Sequence, residues 1–77
     1  MYEHVTTDKT IAFIRASYQY IREAHDVHQA HASYQYAYGM TTMAAAHFII
    51  DFATEEQLRI EMKEIYQNYV DNGRTHN

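Results

Sequence analysis

Three histidines, His25, His28 and His31, offer the most chemistry in this chain, because neutral imidazole is the commonest ligand for transition metals. Their spacing serves a metal only in part. Across six residues a helix turns roughly 600°, which leaves His25 and His31 about 120° apart, so adjacent members approach one another but the three do not share one ion. If the chain reverses at Gly39, His25 and His28 come level with Asp51 and Glu55, and a two-histidine, two-carboxylate site inside a metal-binding or metal-sensing helical bundle follows. The simpler account is a solvated face or a polar layer that the imidazoles help satisfy, and neither a metal nor a cofactor is assigned.

The remaining reactive side chains make no catalytic pattern. Ser17 and Ser33 are the only serines, neither stands in a glycine-framed elbow, and there is no cysteine. Two glycines are too few for a phosphate-cradling loop. The carboxylate pairs Glu55/Glu56 and Glu61/Glu64 fall where a solvated helix face would carry them. The dipeptide His25-Asp26 has no distal partners, so the expectation is a protein that is not an enzyme.

Aromatic residues are the surplus. Eight tyrosines and three phenylalanines in 77 residues exceed what so small a core can bury with every hydroxyl satisfied. Tyrosine gives large, rigid contact area at low entropic cost. Tyr34, Tyr36 and Tyr38, with Tyr20 and the adaptable Met40, form the candidate partner-binding patch, extended by Met43.

These residues must be positioned by one small domain spanning 1–77, with 1–6 and 74–77 expected to fray. The net charge of −4, from six Lys and Arg against ten Asp and Glu, lacks the basic footprint of a nucleic-acid or anionic-membrane binder. The most apolar run, Met43 to Ala53, is short and interrupted by His47 and Asp51, so it does not span a bilayer. Without a basic, apolar leader at Met1-Tyr2-Glu3-His4, the expected compartment is the cytoplasm of a bacterial or host cell.

Periodicity predicts an all-α fold, a helical hairpin or three-helix domain. Ile11, Ile14, Tyr18 and Ile21 recur at the 3-4-3 spacing of one helical face, and Phe13, Tyr20, Ala24 and Val27 form a neighbouring stripe. Thr7 is the expected N-cap, followed by Asp8 in the first turn. That helix either runs on to Tyr38 or breaks near Asp26. Gly39 and Gly73 read as C-terminal caps. Thr41 or Thr42 would cap a short apolar helix through Phe52, in which His47 and Asp51 pair four apart. Thr54-Glu55-Glu56-Gln57 reads as a capping box, with Ala53 and Leu58 as its staple. The helix it opens carries Leu58, Met62, Ile65, Tyr66, Tyr69 and Val70 on one side and the pair Glu55/Arg59 on the other.

The rival α-β-β-α reading makes strands of Tyr34/Tyr36/Tyr38 and Phe48/Ile50/Phe52, against which Ala44-Ala45-Ala46 is poor strand material. A short repeat, Ala16-Ser17-Tyr18-Gln19-Tyr20 and Ala32-Ser33-Tyr34-Gln35-Tyr36, is too brief to define an array. Two or three helices of this length give a thin core, and the two apolar stripes of the first helix favour a homodimer. The functional expectation is a small, acidic, non-catalytic protein-binding module. A virus-encoded inhibitor that occludes a basic surface of a host nucleic-acid-processing or defence protein is the class it suits.

Overall fold

The computed structural model describes residues 2–75, and the side chains of residues 6–72; Met1, His76 and Asn77, parts of the two ends expected to fray, lie outside the described residues. Three helices, α1 (Tyr2–Arg22), α2 (Val27–Ala46) and α3 (Phe52–Thr75), run up, down and up in a rod of 50 × 18 × 15 Å. No strand occurs among the described residues, which corrects the α-β-β-α alternative. The alternating tyrosines Tyr34, Tyr36 and Tyr38 lie inside α2.

The apolar face of α1 is buried as its spacing predicts: Ile14, Tyr18 and Ile21 are in the core and Ile11 packs against it. The helix begins at Tyr2, ahead of the expected cap at Thr7. Nothing between Tyr2 and Thr6 breaks a helix, and the Thr7 hydroxyl has another use, donating to the Ile49 carbonyl at 2.8 Å.

Between α1 and α2 the chain turns at Asp26, the N-cap of α2. Its carboxylate accepts from the Gln29 N–H at 2.8 Å while the Gln29 side chain reaches back to accept from the His25 N–H at 2.7 Å. This reciprocal clasp satisfies donors that a helix start leaves unpaired. The C-terminal part of α3 secures the same turn, where the Tyr69 hydroxyl donates to the Ala24 carbonyl at 2.8 Å.

Beyond that start α2 continues through Gly39, which takes no positive φ and is not a cap. Likewise α3 passes through Gly73. Thr41 and Thr42 do not open a second helix. Each hydroxyl donates to the carbonyl one turn back, Ala37 at 2.8 Å and Tyr38 at 3.0 Å, a pattern that lets threonine sit in a helix interior. The residues that α2 buries are small: Ala30, Ala37, Thr41 and Ala44. Leu58 and Met62 of α3 complete the core from the other side.

The reversal falls at 47–51. Ile49 N–H bonds the Ala44 carbonyl (2.9 Å) and Phe48 N–H bonds the Ala45 carbonyl (3.0 Å). This is the Schellman pattern, and it requires the residue after the cap to be left-handed. That residue is Phe48, with φ of 60°, at a position where glycine is the usual occupant. Asp51 then caps α3, its carboxylate accepting from the Thr54 N–H at 2.7 Å and its carbonyl from the Glu55 N–H at 2.9 Å. Thr54 is therefore the third helical residue and not the cap, and Ala53 is exposed within α3 rather than a staple.

Because a bulky side chain in the left-handed region costs about 1–2 kcal/mol, Phe48→Gly should stabilise the dilute monomer by about 1 kcal/mol. It should raise Tm by roughly 5 °C. Urea and thermal unfolding followed by circular dichroism check this, and an unchanged or lowered midpoint would contradict the strain assigned to Phe48.

Candidate interaction surface

The metal geometry considered from the sequence needs the chain to reverse at Gly39, and it reverses at 47–51 instead. His25 and His28 therefore stand at the start of α2, whereas Asp51 and Glu55 stand beyond its far end, roughly 30 Å away along a helix of this length. Among the described residues no group of three His, Asp or Glu side chains converges to hold an ion. His31 instead tilts against the Tyr66 ring, with centroids 5.8 Å apart. His47 and Asp51 are both exposed in the turn rather than paired on a helix. Hydrogen bonding to the Thr54 side chain, and then to its backbone N–H, holds the Asp51 carboxyl below its ordinary range.

Two of the four carboxylates read as solvated are tied down. Glu55 is buried and paired with Arg59 at 2.7 Å, the i,i+4 pair expected from the sequence, but it faces inward. The Arg59 guanidinium lies 4.9 Å above the Tyr38 ring, so that pair also fixes one wall of the α2–α3 seam. Glu61 receives both Nε (3.1 Å) and Nη2 (2.9 Å) of Arg15, and a Gln57 amide at 3.2 Å. The Tyr18 hydroxyl lies 3.1 Å from Glu61 Oε1 and from the Leu58 carbonyl. These contacts bolt α1 to α3. Burial, followed by the Glu61 charge, pushes the Tyr18 phenol well above its ordinary range. The Arg15 hydrogen bonds hold Glu61 below the usual carboxylate range against a partial desolvation penalty. Ser17 is buried with its hydroxyl bonded to the Ile14 carbonyl.

The five patch residues do not form one patch beside a turn at Gly39, since no turn is there. The four on α2 divide between two of its faces, and Tyr20 stands on α1. Tyr34 and Tyr38 look toward α3: the Tyr34 ring stacks on Tyr66 at 5.0 Å and 12°, and meets Tyr38 edge-on at 6.2 Å. Exposed Phe52 and Ile60 continue this face, with Lys63 and Glu56 beside them. Tyr36 and Met40 of α2 look toward α1, which carries Tyr20. There a groove of about 560 Å³ is lined by Phe13, Tyr36, Gly39, Met40 and Met43, and ends at His47 and Ile49. Tyr36 also joins Tyr20 in a second depression further along the same seam.

Phe13, Phe48 and Phe52 are not among the sequence candidates, and all three are exposed, as is Met43, which the sequence adds to the patch. Phe13 was legible as part of a second apolar stripe on α1. Phe48 and Phe52 read as interior residues of an apolar helix, and only the position of the reversal puts them outside.

No family model matches this chain, and neither a curated protein nor a solved structure matches it. No helix among the described residues is long and apolar enough to cross a membrane.

The Glu61 cluster sets an acid dependence. A carboxyl whose folded pKa is depressed contributes stability above its unfolded value, near 4.3, and loses that contribution as pH falls through the folded value. Arg15 is half exposed, so after discounting for solvent the contribution is about 1 kcal/mol. Glu61→Gln should lose that amount at pH 7, and the difference between variant and wild type should shrink when urea midpoints are compared near pH 3. A pH-independent difference would show that the carboxylate charge is not what α1 and α3 share.

Proposed function

We propose that the chain is a non-catalytic protein-binding module that occludes a basic functional surface of a larger protein. A small virus-encoded inhibitor of a host nucleic-acid-processing or defence protein would act in this way. We also propose that it works as a homodimer, in the cytoplasm. The observation that carries this reading is the placement of large apolar side chains on the outside of the bundle: Phe13, Tyr20, Tyr36, Tyr38, Met43, Phe48 and Phe52 are exposed while alanines fill the interior of α2. A helix whose only task is to complete a bundle gains nothing from exposed aromatic rings, whereas an interface gains from them in proportion to their area. The excess of four negative charges favours a partner of opposite sign through steering and through rejection of acidic surfaces.

The division of the aromatic residues between two faces supports two tasks. The α2–α3 face, with Tyr34, Tyr38 and Phe52, combines rigid rings with charged groups at its margin, the anatomy of a transient protein contact. The α1–α2 groove has no Asp, Glu, Lys or Arg in its lining, which suits a more permanent neighbour.

Affinity capture from the native host, with mass spectrometry of what is retained, tests the first task. The double substitution Tyr38→Ala with Phe52→Ala should release a specifically retained basic protein, since central aromatic contacts each contribute about 2 kcal/mol or more. Partner retention that is indifferent to both substitutions, or that is confined to acidic proteins, would refute the reading.

A further inference from the structure

Two residues of this chain, Phe48 and Gly39, are placed against their conformational preference. Phe48 holds a left-handed backbone that favours glycine and is 92% exposed at the tip of the α2–α3 turn. Gly39 stands in the interior of α2, where glycine is the poorest ordinary helix former, and a Cβ built on it would meet nothing within 4 Å. No packing within the chain accounts for either. One is a projecting ring and the other is the open wall of an apolar groove.

We infer that Phe48 of one copy seats in the α1–α2 groove of a second copy, over Gly39, and that the exchange is reciprocal about a two-fold axis crossing α2 between Met43 and Ala44. The register follows from the helix. An antiparallel crossing centred there carries position 48 of each copy to the level of position 39 of the other, with each Met43 level with Ala44 of the other copy beside the axis. Such an interface is isologous and closes at two copies.

Charge and area both favour a second copy as the occupant. From Val27 to Ala46 α2 contains no Asp, Glu, Lys or Arg, so apposing two such helices desolvates no formal charge and brings no like charges together, despite the net charge of the chain. Phe13, Tyr36, Met43 and Phe48 are 63, 56, 59 and 92% exposed. At about 200 Å² for each fully exposed large side chain, they offer roughly 500 Å² per copy. A two-fold pair then covers about 1,000 Å², the area at which a specific interface becomes sustainable. This deepens the homodimer named in the proposed function, rests on that reading, and leaves the α2–α3 face open for a different protein.

Two substitutions that favour the isolated monomer should abolish the dimer. Light scattering coupled to size exclusion should give twice the monomer mass for the wild type, falling on dilution. Phe48→Gly, which removes the ring and relieves the backbone, and Gly39→Leu, which fills the seat from a position with open space before it, should each run as monomers at the same concentration. Both should keep the helical circular dichroism and a dilute-solution Tm no lower than that of the wild type. A wild-type chain that stays monomeric up to millimolar concentration overturns the inference, as does a dimer that persists in both variants. Capture by the Tyr38/Phe52 face reads out separately: a monomeric variant that still retains the larger protein separates failure of this interface from failure of the binding-module reading.

Discussion

The constraint on which this structure turns is the small cross-section of α2 where it meets its neighbours. Ala30, Ala37, Thr41 and Ala44 are its buried residues, so the helix can lie close to α1 and α3 without large side chains between them. Close approach of that kind leaves no interior volume for the tyrosines and methionines on the flanks of the same helix. They are squeezed into the two seams, where Tyr34 finds Tyr66 to stack on, or onto the surface, where Tyr36 and Met43 stay more than half exposed. The bulk of the core is supplied by Ile14, Tyr18 and Ile21 on one side and Leu58 and Met62 on the other. Exposure of aromatic rings is thus a consequence of how the bundle is closed.

The polar contacts are distributed to hold that arrangement in register. Long apolar helices can slide past one another at little cost, because burial is non-directional. The hydrogen bonds between elements are not: Thr7 on the Ile49 carbonyl fixes the start of α1 against the reversal, Tyr69 on the Ala24 carbonyl fixes the end of α3 against the first turn, and Arg15, Tyr18 and Glu61 fix the middle. Three such points along the rod leave little freedom for a one-turn slip of any helix.

How much of this was legible in the sequence depends on which residue type carried the signal. The 3-4-3 spacing on α1, the apolar face of α3, the Glu55/Arg59 pair and the all-α class follow from periodicity, which depends only on helix geometry. The break near Asp26 is one of the two alternatives the sequence offers for the first helix. The other boundaries follow there from glycine and threonine, whereas the chain sets the start of α3 with aspartate. Asp26 and Asp51 each place a carboxylate over the third helical N–H, and such a cap outcompetes a threonine three residues later. Gly39 and Gly73 looked like stops because glycine commonly supplies the left-handed residue after a helix. Here a phenylalanine supplies it, in a run whose Ala-Ala-Ala-His-Phe sequence contains nothing that disfavours continuing the helix. The misplaced reversal carried the candidate site with it. It paired His25 and His28 with Asp51 and Glu55 across a bundle that is folded elsewhere, and gathered into one patch tyrosines that face two ways.

The five-residue repeat takes on meaning in this geometry. Tyr18 and Tyr34 occupy equivalent places in its two copies and both turn toward α3, the first bonded to the Leu58 carbonyl and the second stacked on Tyr66. Tyr20 and Tyr36 are likewise equivalent, and they stand on opposite walls of the α1–α2 seam. An antiparallel helix pair that repeats the same short motif places its inward tyrosines against a common third helix and its outward ones across from each other. The same pattern that places Tyr18 and Tyr34 against α3 therefore also places Tyr20 and Tyr36 on the outer seam. For a chain of this length, with so little interior to spare, a surface generated by the folding pattern itself is an economical way to carry both stability and recognition.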